Sequence, residues 1–271
     1  MRPKGEPIAI PEFPTQTEWI NADFLRIGTL LGQHAILVWF WDYTSLNSLR
    51  SLPYLKEWDR RYREAGLRVI GVHSPQFEFG HQREHVERAV ERLGVEFPVA
   101  HDHDFVIWRL YGTEVWPSLY LWDRTGALRH YHFAEGAYEE TERAIGELLR
   151  EIDPEVELPE PMGPVRATDR PGAKVVPPTP HRYMSEERSA RALETGNELS
   201  VSYEGAGAAA VLDGTGRVDL VVDGEPLRTI DLDGPRLYEL VSGESHEQHV
   251  ITLRFRDEAL AYLFSFEPAP A

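Results

Sequence analysis

Cysteine is absent from all 271 residues, and that one absence removes disulfides, thiolate nucleophiles, sulfur-ligated metal sites and thiol-disulfide exchange together. Also missing is any uninterrupted apolar run near the ~18 residues that a membrane-spanning helix needs. The opening Met1-Arg2-Pro3-Lys4-Gly5-Glu6-Pro7 leads into no apolar segment of signal-peptide type, so the expectation is a soluble, cytoplasmic protein. Positive charge is scarce: 28 Lys and Arg stand against 45 Asp and Glu, a formal net charge of -17. That field repels phosphate backbones and anionic lipid, and no basic patch interrupts it, so neither nucleic acid nor a membrane surface is expected as a partner.

What the chain has is apolar residue, 42% of the total, enough at this length for two ordinary domains with real cores. It is organised around Ala35 to Arg50. Ala35-Ile36-Leu37-Val38-Trp39-Phe40-Trp41 is an unbroken run rich in β-branched and aromatic residues, which predicts a strand buried on both faces. Thr44 or Ser45 is placed to cap a helix that follows at once. In that helix Leu49, Leu52, Leu55, Trp58 and Tyr62 recur at three- and four-residue spacing before Gly66. Pro53 sits inside it, where it removes a backbone bond and predicts a kink.

Val69-Ile70-Gly71-Val72 predicts the next buried strand, so the unit closes with a right-handed crossover and parallel pairing. A helix is expected over about Arg83 to Leu93, a short strand at Phe97 to Ala100 and a short helix from Phe105 to Tyr111. Ser118 to Trp122 and Ala127 to Phe133 flank the turn sequence Asp123-Arg124-Thr125-Gly126 as a hairpin, and a last helix covers about Tyr138 to Ile152. Ahead of Ala35, prolines at 3, 7, 11 and 14 precede Trp19-Ile20-Asn21, which reads as a short edge strand.

From Pro154 to Pro180 the prolines at 154, 159, 161, 164, 171, 177, 178 and 180 argue against regular structure and predict a stiff, extended linker. It separates a first domain, 1–153, from a second, 181–271. In the second the period changes to two, in Leu199 to Tyr203, Arg217 to Val222, Leu227 to Leu232, Ile251 to Arg256 and Tyr262 to Phe266. Asp-Gly turns are expected at 213–214, 223–224 and 233–234. Short strands at this spacing predict an all-β sandwich.

A Cys-x-x-Cys at the start of a helix fed by a buried strand would signal a redox site, because free N–H groups and the helix dipole stabilise a thiolate. Here those two places hold Ser45 and Ser48. The run Phe40-Trp41-Asp42-Tyr43-Thr44-Ser45-Leu46-Asn47-Ser48-Leu49-Arg50-Ser51-Leu52-Pro53-Tyr54-Leu55 resembles the thioredoxin-like (redoxin or TlpA-type) family of thiol-disulfide oxidoreductases, above all the soluble C-terminal part of DipZ-type proteins. The resemblance implies an α/β thioredoxin fold, a mixed central sheet flanked by helices, with cysteines in the family at the places of Ser45 and Ser48. It implies that Pro117, after Trp116, is cis and faces the redox motif, where its neighbour's backbone binds extended peptide. Gly216 to Gly224 with Leu227 to Ile230 and Leu237 to Val241 resembles the jelly-roll, carbohydrate-binding-module-like domain that ends DipZ-type proteins.

Serine has no disulfide state and is far less acidic than a thiol, so a helix start cannot make it exchange disulfides. A hydrolytic Ser45 would need a base and an orienting acid; His73 and Asp42 are the local candidates, and their spacing fixes no triad. The expected site is instead a cleft formed by Trp41, Asp42, Tyr43, Thr44, Ser45, Ser48, His73, Trp116 and Pro117, at the strand ends where open α/β sheets bind ligands. His101-Asp102-His103-Asp104 and the pair His130 and His132 carry metal-ligand types but lack a completing cluster, so no metal and no cofactor is expected. Tyr203, Tyr238, Phe255, Tyr262, Phe264 and Phe266 are read as core of the sandwich rather than a sugar platform.

The resulting expectation is a redox-inactive thioredoxin-like protein binding a peptide, protein or small ligand in the former active-site cleft. One rival keeps the oxidoreductase role, through a partner's thiols or a native form with cysteines at 45 and 48. A second makes the chain a carbohydrate-binding or structural module. Nothing in the sequence speaks to oligomeric state.

Overall fold

The computed structural model describes residues 8–271, so the prolines at 3 and 7 lie outside the described residues. The chain divides into two compact units that meet between Val165 and Arg166.

The first unit runs β1 (Glu18–Ile20), α1 (Ile27–Leu30), β2 (Ala35–Trp41), α2 (Leu46–Tyr62), β3 (Leu67–His73), α3 (Arg83–Leu93), β4 (Val99–His101), α4 (Val106–Tyr111), β5 (Ser118–Trp122), β6 (Leu128–Phe133) and α5 (Tyr138–Ile152). Six strands form one mixed sheet in the order β1-β4-β3-β2-β5-β6. The β4, β3 and β2 ladder is parallel, and β1, β5 and β6 join it antiparallel. Every residue of β2 is buried, as an apolar run covered on both faces requires. Ile36, Val38 and Phe40 join one core cluster with Trp19, Tyr111, Tyr120 and Trp122; Leu37, Trp39 and Trp41 alternate to the opposite face.

Local chemistry sets the element ends. Ser45 caps α2, and Arg60 and Arg61 occupy its last turn, where cations oppose the helix dipole. Pro53 lies inside α2. The β5–β6 hairpin closes through Asp123, whose carboxylate accepts from the N–H groups of Thr125 (2.8 Å) and Ala127 (3.1 Å). The register pairs Trp41 with His73 and His73 with His101, so the C-terminal ends of β2, β3 and β4 lie side by side. That row positions the candidate site.

The proline-rich stretch does not stay free of structure as expected. Met162 N–H donates to the Glu142 carboxylate (3.1 Å), Val165 N–H to the Tyr54 hydroxyl (2.7 Å), and Arg61 to the Glu160 carbonyl (2.6 Å). Prolines remove donors, but the N–H groups between them still need acceptors, and the first unit supplies them. Farther on come a 3-10 turn at Ala167–Asp169 and a short strand, β7 (Val175–Val176).

The second unit is otherwise all β: β8 (Arg182–Tyr183), β9 (Arg191–Leu193), β10 (Glu198–Gly205), β11 (Gly207–Val222), β12 (Glu225–Asp233), β13 (Arg236–Val241), β14 (Glu247–Phe255), β15 (Ala259–Glu267) and β16 (Ala269–Pro270), the last paired with β7. At 16 residues β11 is the spine. Its first half pairs with β13 and β15, its second with β12 and β14. Asp213-Gly214 is therefore not a turn: the strand passes through it. Gly214 (φ 158°) and Gly216 (φ 148°) let the backbone change partners, and a Cβ at Gly216 would lie 2.4 Å from Cβ of Asp257.

Candidate functional site

The segment between β2 and α2 folds around a buried carboxylate. Asp42 Oδ1 accepts from the Thr44 N–H (2.7 Å) and from the Thr44 hydroxyl, and Oδ2 accepts from the Gln76 N–H (3.0 Å). Oδ2 also lies 3.3 Å from Nε2 of the fully buried His73, at ion-pair range but outside hydrogen-bond geometry. Burial alone would raise the pKa of Asp42; the imidazole beside it, with Thr44 and Gln76, more than offsets that and holds it below the ordinary carboxylate range. His73 stacks on Tyr43 (5.2 Å between ring centroids) and meets Trp41 edge-on (5.6 Å).

The two serines are engaged in the same network. The Ser48 N–H donates to Oγ of Ser45 (3.3 Å), the cap of α2, and the Asp42 N–H donates to Oγ of Ser48 (3.4 Å). Ser45 is 8% exposed and Ser48 has no exposure. The Nε2 of His73 faces Asp42 rather than Ser45, so the arrangement is not a nucleophile with its base.

The structure thus gathers Trp41, Asp42, Tyr43, Thr44, Ser45, Ser48 and His73 into one buried cluster. Trp116 reaches it by another route, and Pro117 lies next to Trp116 in the chain. The Trp116-Pro117 bond is cis. The Trp116 indole donates to the carbonyl of Ser74 (2.9 Å), and the Ser74 N–H donates to the carbonyl of Trp41 (3.2 Å). The half-buried Trp116 also packs on Trp108 at 4.5 Å between ring centroids.

Two contributors have roles that the sequence does not reveal. Ser74 donates its hydroxyl to Asp102 (2.9 Å), and Asp102 accepts from the N–H groups of Ile107 and Trp108 (2.8 Å each), holding the start of α4. Asp102 serves here as a capping carboxylate. Burial raises its pKa despite those three bonds. The pattern Asp102 to Tyr111, an acid ahead of an apolar helical run, was the available signal. Of the histidines weighed for metal, His101 bonds the Gly80 carbonyl (3.1 Å), His130 the Thr141 hydroxyl (3.0 Å) and His132 the Glu135 carbonyl (3.3 Å). Among the described residues no group of three His, Asp or Glu is arranged to hold a metal ion.

The outer face differs. Pro117 itself is buried, but Val115 is 40% exposed, Phe133 45% and Tyr131 50%. Tyr131 and Phe133 share the face of Tyr120 by register, and the Ala134 N–H donates to the carbonyl of Pro117 (2.9 Å). In the second unit all six aromatics from Tyr203 to Phe266 considered above are buried.

This strand order, with a helix starting at the end of β2 and a cis-proline ahead of β5, meets sequence similarity along nearly the whole chain. Protein DipZ of Mycobacterium bovis is 28% identical over an alignment covering 94% of this chain. The chain is thioredoxin-like and DipZ-related. It spans 42% of the length of DipZ. The family described as "Thioredoxin like C-terminal domain" matches residues 182–266 of the thioredoxin-like chain. Thiol-disulfide oxidoreductase YkuV of Bacillus subtilis is 24% identical over 53% of this chain and 96% of its own. Among solved structures, a thiol-disulfide isomerase from Corynebacterium glutamicum aligns with 51% of this chain and 96% of its own, at 23% identity and a TM-score of 0.46. Against relatives named for thiol chemistry, this DipZ-related chain carries no cysteine. Among the described residues no helix is long and apolar enough to cross a membrane.

Proposed function

We propose that this chain binds an extended polypeptide without covalent chemistry, across the rim formed by Val115, Trp116 and Phe133, beside the buried Pro117. The observation that carries this reading is the contrast between interior and rim. Ser45 and Ser48 are held in buried hydrogen bonds, while Val115 and Phe133 stay exposed near the end of β6 and the half-buried Trp116 is fixed by a bond to Ser74. A rigid, partly apolar rim at the strand ends favours ligand binding because little order is lost on contact.

The test uses a fluorescein-labelled insulin B chain with its thiols carboxymethylated, so that no exchange can occur. Saturable binding by anisotropy is expected, weakened at least about tenfold, or 1.4 kcal/mol, in Trp116→Ala. No binding at high protein concentration would overturn the reading. The second reading, an oxidoreductase whose cysteines come from a partner or from a native form with thiols at 45 and 48, is favoured by the cap at Ser45, which directs N–H groups to the place a thiolate would occupy. Turnover in a dithiothreitol-driven insulin reduction assay would support it; the proposed function expects none above blank.

We also read the second unit as a sandwich of jelly-roll type, supported by the sharing of β11 between two sets of strands. Its aromatics then serve as core, which argues for an accessory rather than sugar-stacking role. The stretch 154–180 connects the two domains in this reading.

A further inference from the structure

Behind Pro117 lies a cavity of about 20 Å³ on the side of the sheet covered by α2 and α5. Its wall includes Trp39 of β2, Ser51 and Trp58 of α2, and Tyr138 and Thr141 of α5. Both indoles are buried, and neither Nε1–H has a hydrogen-bond partner. An indole N–H is a donor only, and leaving it buried and unbonded costs on the order of the desolvation of that group. Two residues that line one cavity thus each carry a buried donor in need of an acceptor.

We propose that this cavity holds one ordered water molecule that accepts from the Trp39 and Trp58 indoles and donates to the hydroxyls of the opposite wall. The volume fits a water and is more than tenfold below that of an ordinary ligand pocket. The chemistry of the wall selects the occupant. Two donors reject an ammonium ion. A halide would be a bare anion with no lysine or arginine among the lining residues, which is costly in an apolar setting. Water has two acceptor sites for the indoles and two protons left over. On the far wall the Ser51 and Tyr138 oxygens lie 3.1 Å apart, and Thr141 Oγ1 lies 3.0 Å from Nε2 of His130, so the hydroxyls belong to a network with lone pairs to receive those protons. The water would bridge β2, α2 and α5 beneath the proline, and it stands independently of what binds on the rim.

A crystal structure of the full chain that resolves solvent, with a bromide soak, tests this alongside thermal melts of three variants. One density peak within about 3.2 Å of both Nε1 atoms is expected. Trp39→Phe and Trp58→Phe each remove one bond to the water and are expected to lower Tm by about 2–4 °C more than Trp122→Phe does. The Trp122 indole N–H is likewise buried and unpartnered, but it does not line the cavity, so this variant carries the packing loss alone. A dry cavity, bromide at the peak, or equal losses in all three variants would overturn the proposal. If a tryptophan variant fails to fold, the density in the unmodified chain still decides.

Discussion

Asp42 and Asp102 are both buried, both lie just past a strand of the same sheet, and both receive three hydrogen bonds, yet their ionisation moves in opposite directions. Asp42 has an imidazole 3.3 Å away. Asp102 has only neutral donors, and the carboxylate of Asp104 nearby opposes its charge. Burial penalises both anions, and the one with an ion-pairing partner overcomes the penalty. With three accepted bonds at each acid, what distinguishes Asp42 is the imidazole beside it.

The sharpest way to break this comparison is Asp42→Asn. Asparagine has one acceptor oxygen, so its amide must point donors at either the Thr44 or the Gln76 N–H, and His73 loses its acid. A loss of about 3–5 kcal/mol is expected, the range for removing one member of a buried pair, measured by urea unfolding at pH 7. Asp102→Asn leaves no buried imidazole behind and mismatches one donor, so about 1–3 kcal/mol is expected. Equal losses at the two sites would sink the claim that the charge partner matters.

The pH dependence sharpens it further, because the signs differ. The folded pKa of Asp42 is depressed, so its contribution is present above the unfolded value near 3.8 and is lost as pH falls through the folded pKa. The folded pKa of Asp102 is raised, so its folded form takes up a proton more readily than the unfolded chain. Its unfavourable contribution therefore grows as pH rises from 3.8 through the folded pKa. Stability measured from pH 7 down to pH 3 should fall less steeply in Asp42→Asn than in the unmodified protein, and more steeply in Asp102→Asn. The smallest effect belongs to the third helix-start group. Ser45→Ala removes a neutral cap at 3.3 Å and should cost about 1 kcal/mol by the same unfolding measurement.

Periodicity made much of the fold legible. β2, α3 and α5 begin and end at the residues expected, because an apolar run or a three-and-four spacing survives undisturbed along each. β11 was read as a six-residue strand because Gly214 and Gly216 interrupt the alternation and Asp213-Gly214 looks like a reversal; only partners on both flanks carry the backbone straight on. At the site, Ser45 was legible as a cap because capping is local. The closure of Asp42 and His73 was not, since it depends on a ladder that sets Trp41 beside His73 across a parallel crossover. The same limit hid Asp102, whose role comes from Ser74 and α4 rather than from its histidine neighbours.

The continuous β11 strand carries a mechanical consequence for the second unit. Since one backbone segment is laced into both groups of strands, neither group can peel off while leaving that segment fully paired. Opening on one side strips hydrogen bonds from the other's central member, so the unit is wired to come apart as a whole, and its slowest-exchanging amides should be those of its longest strand.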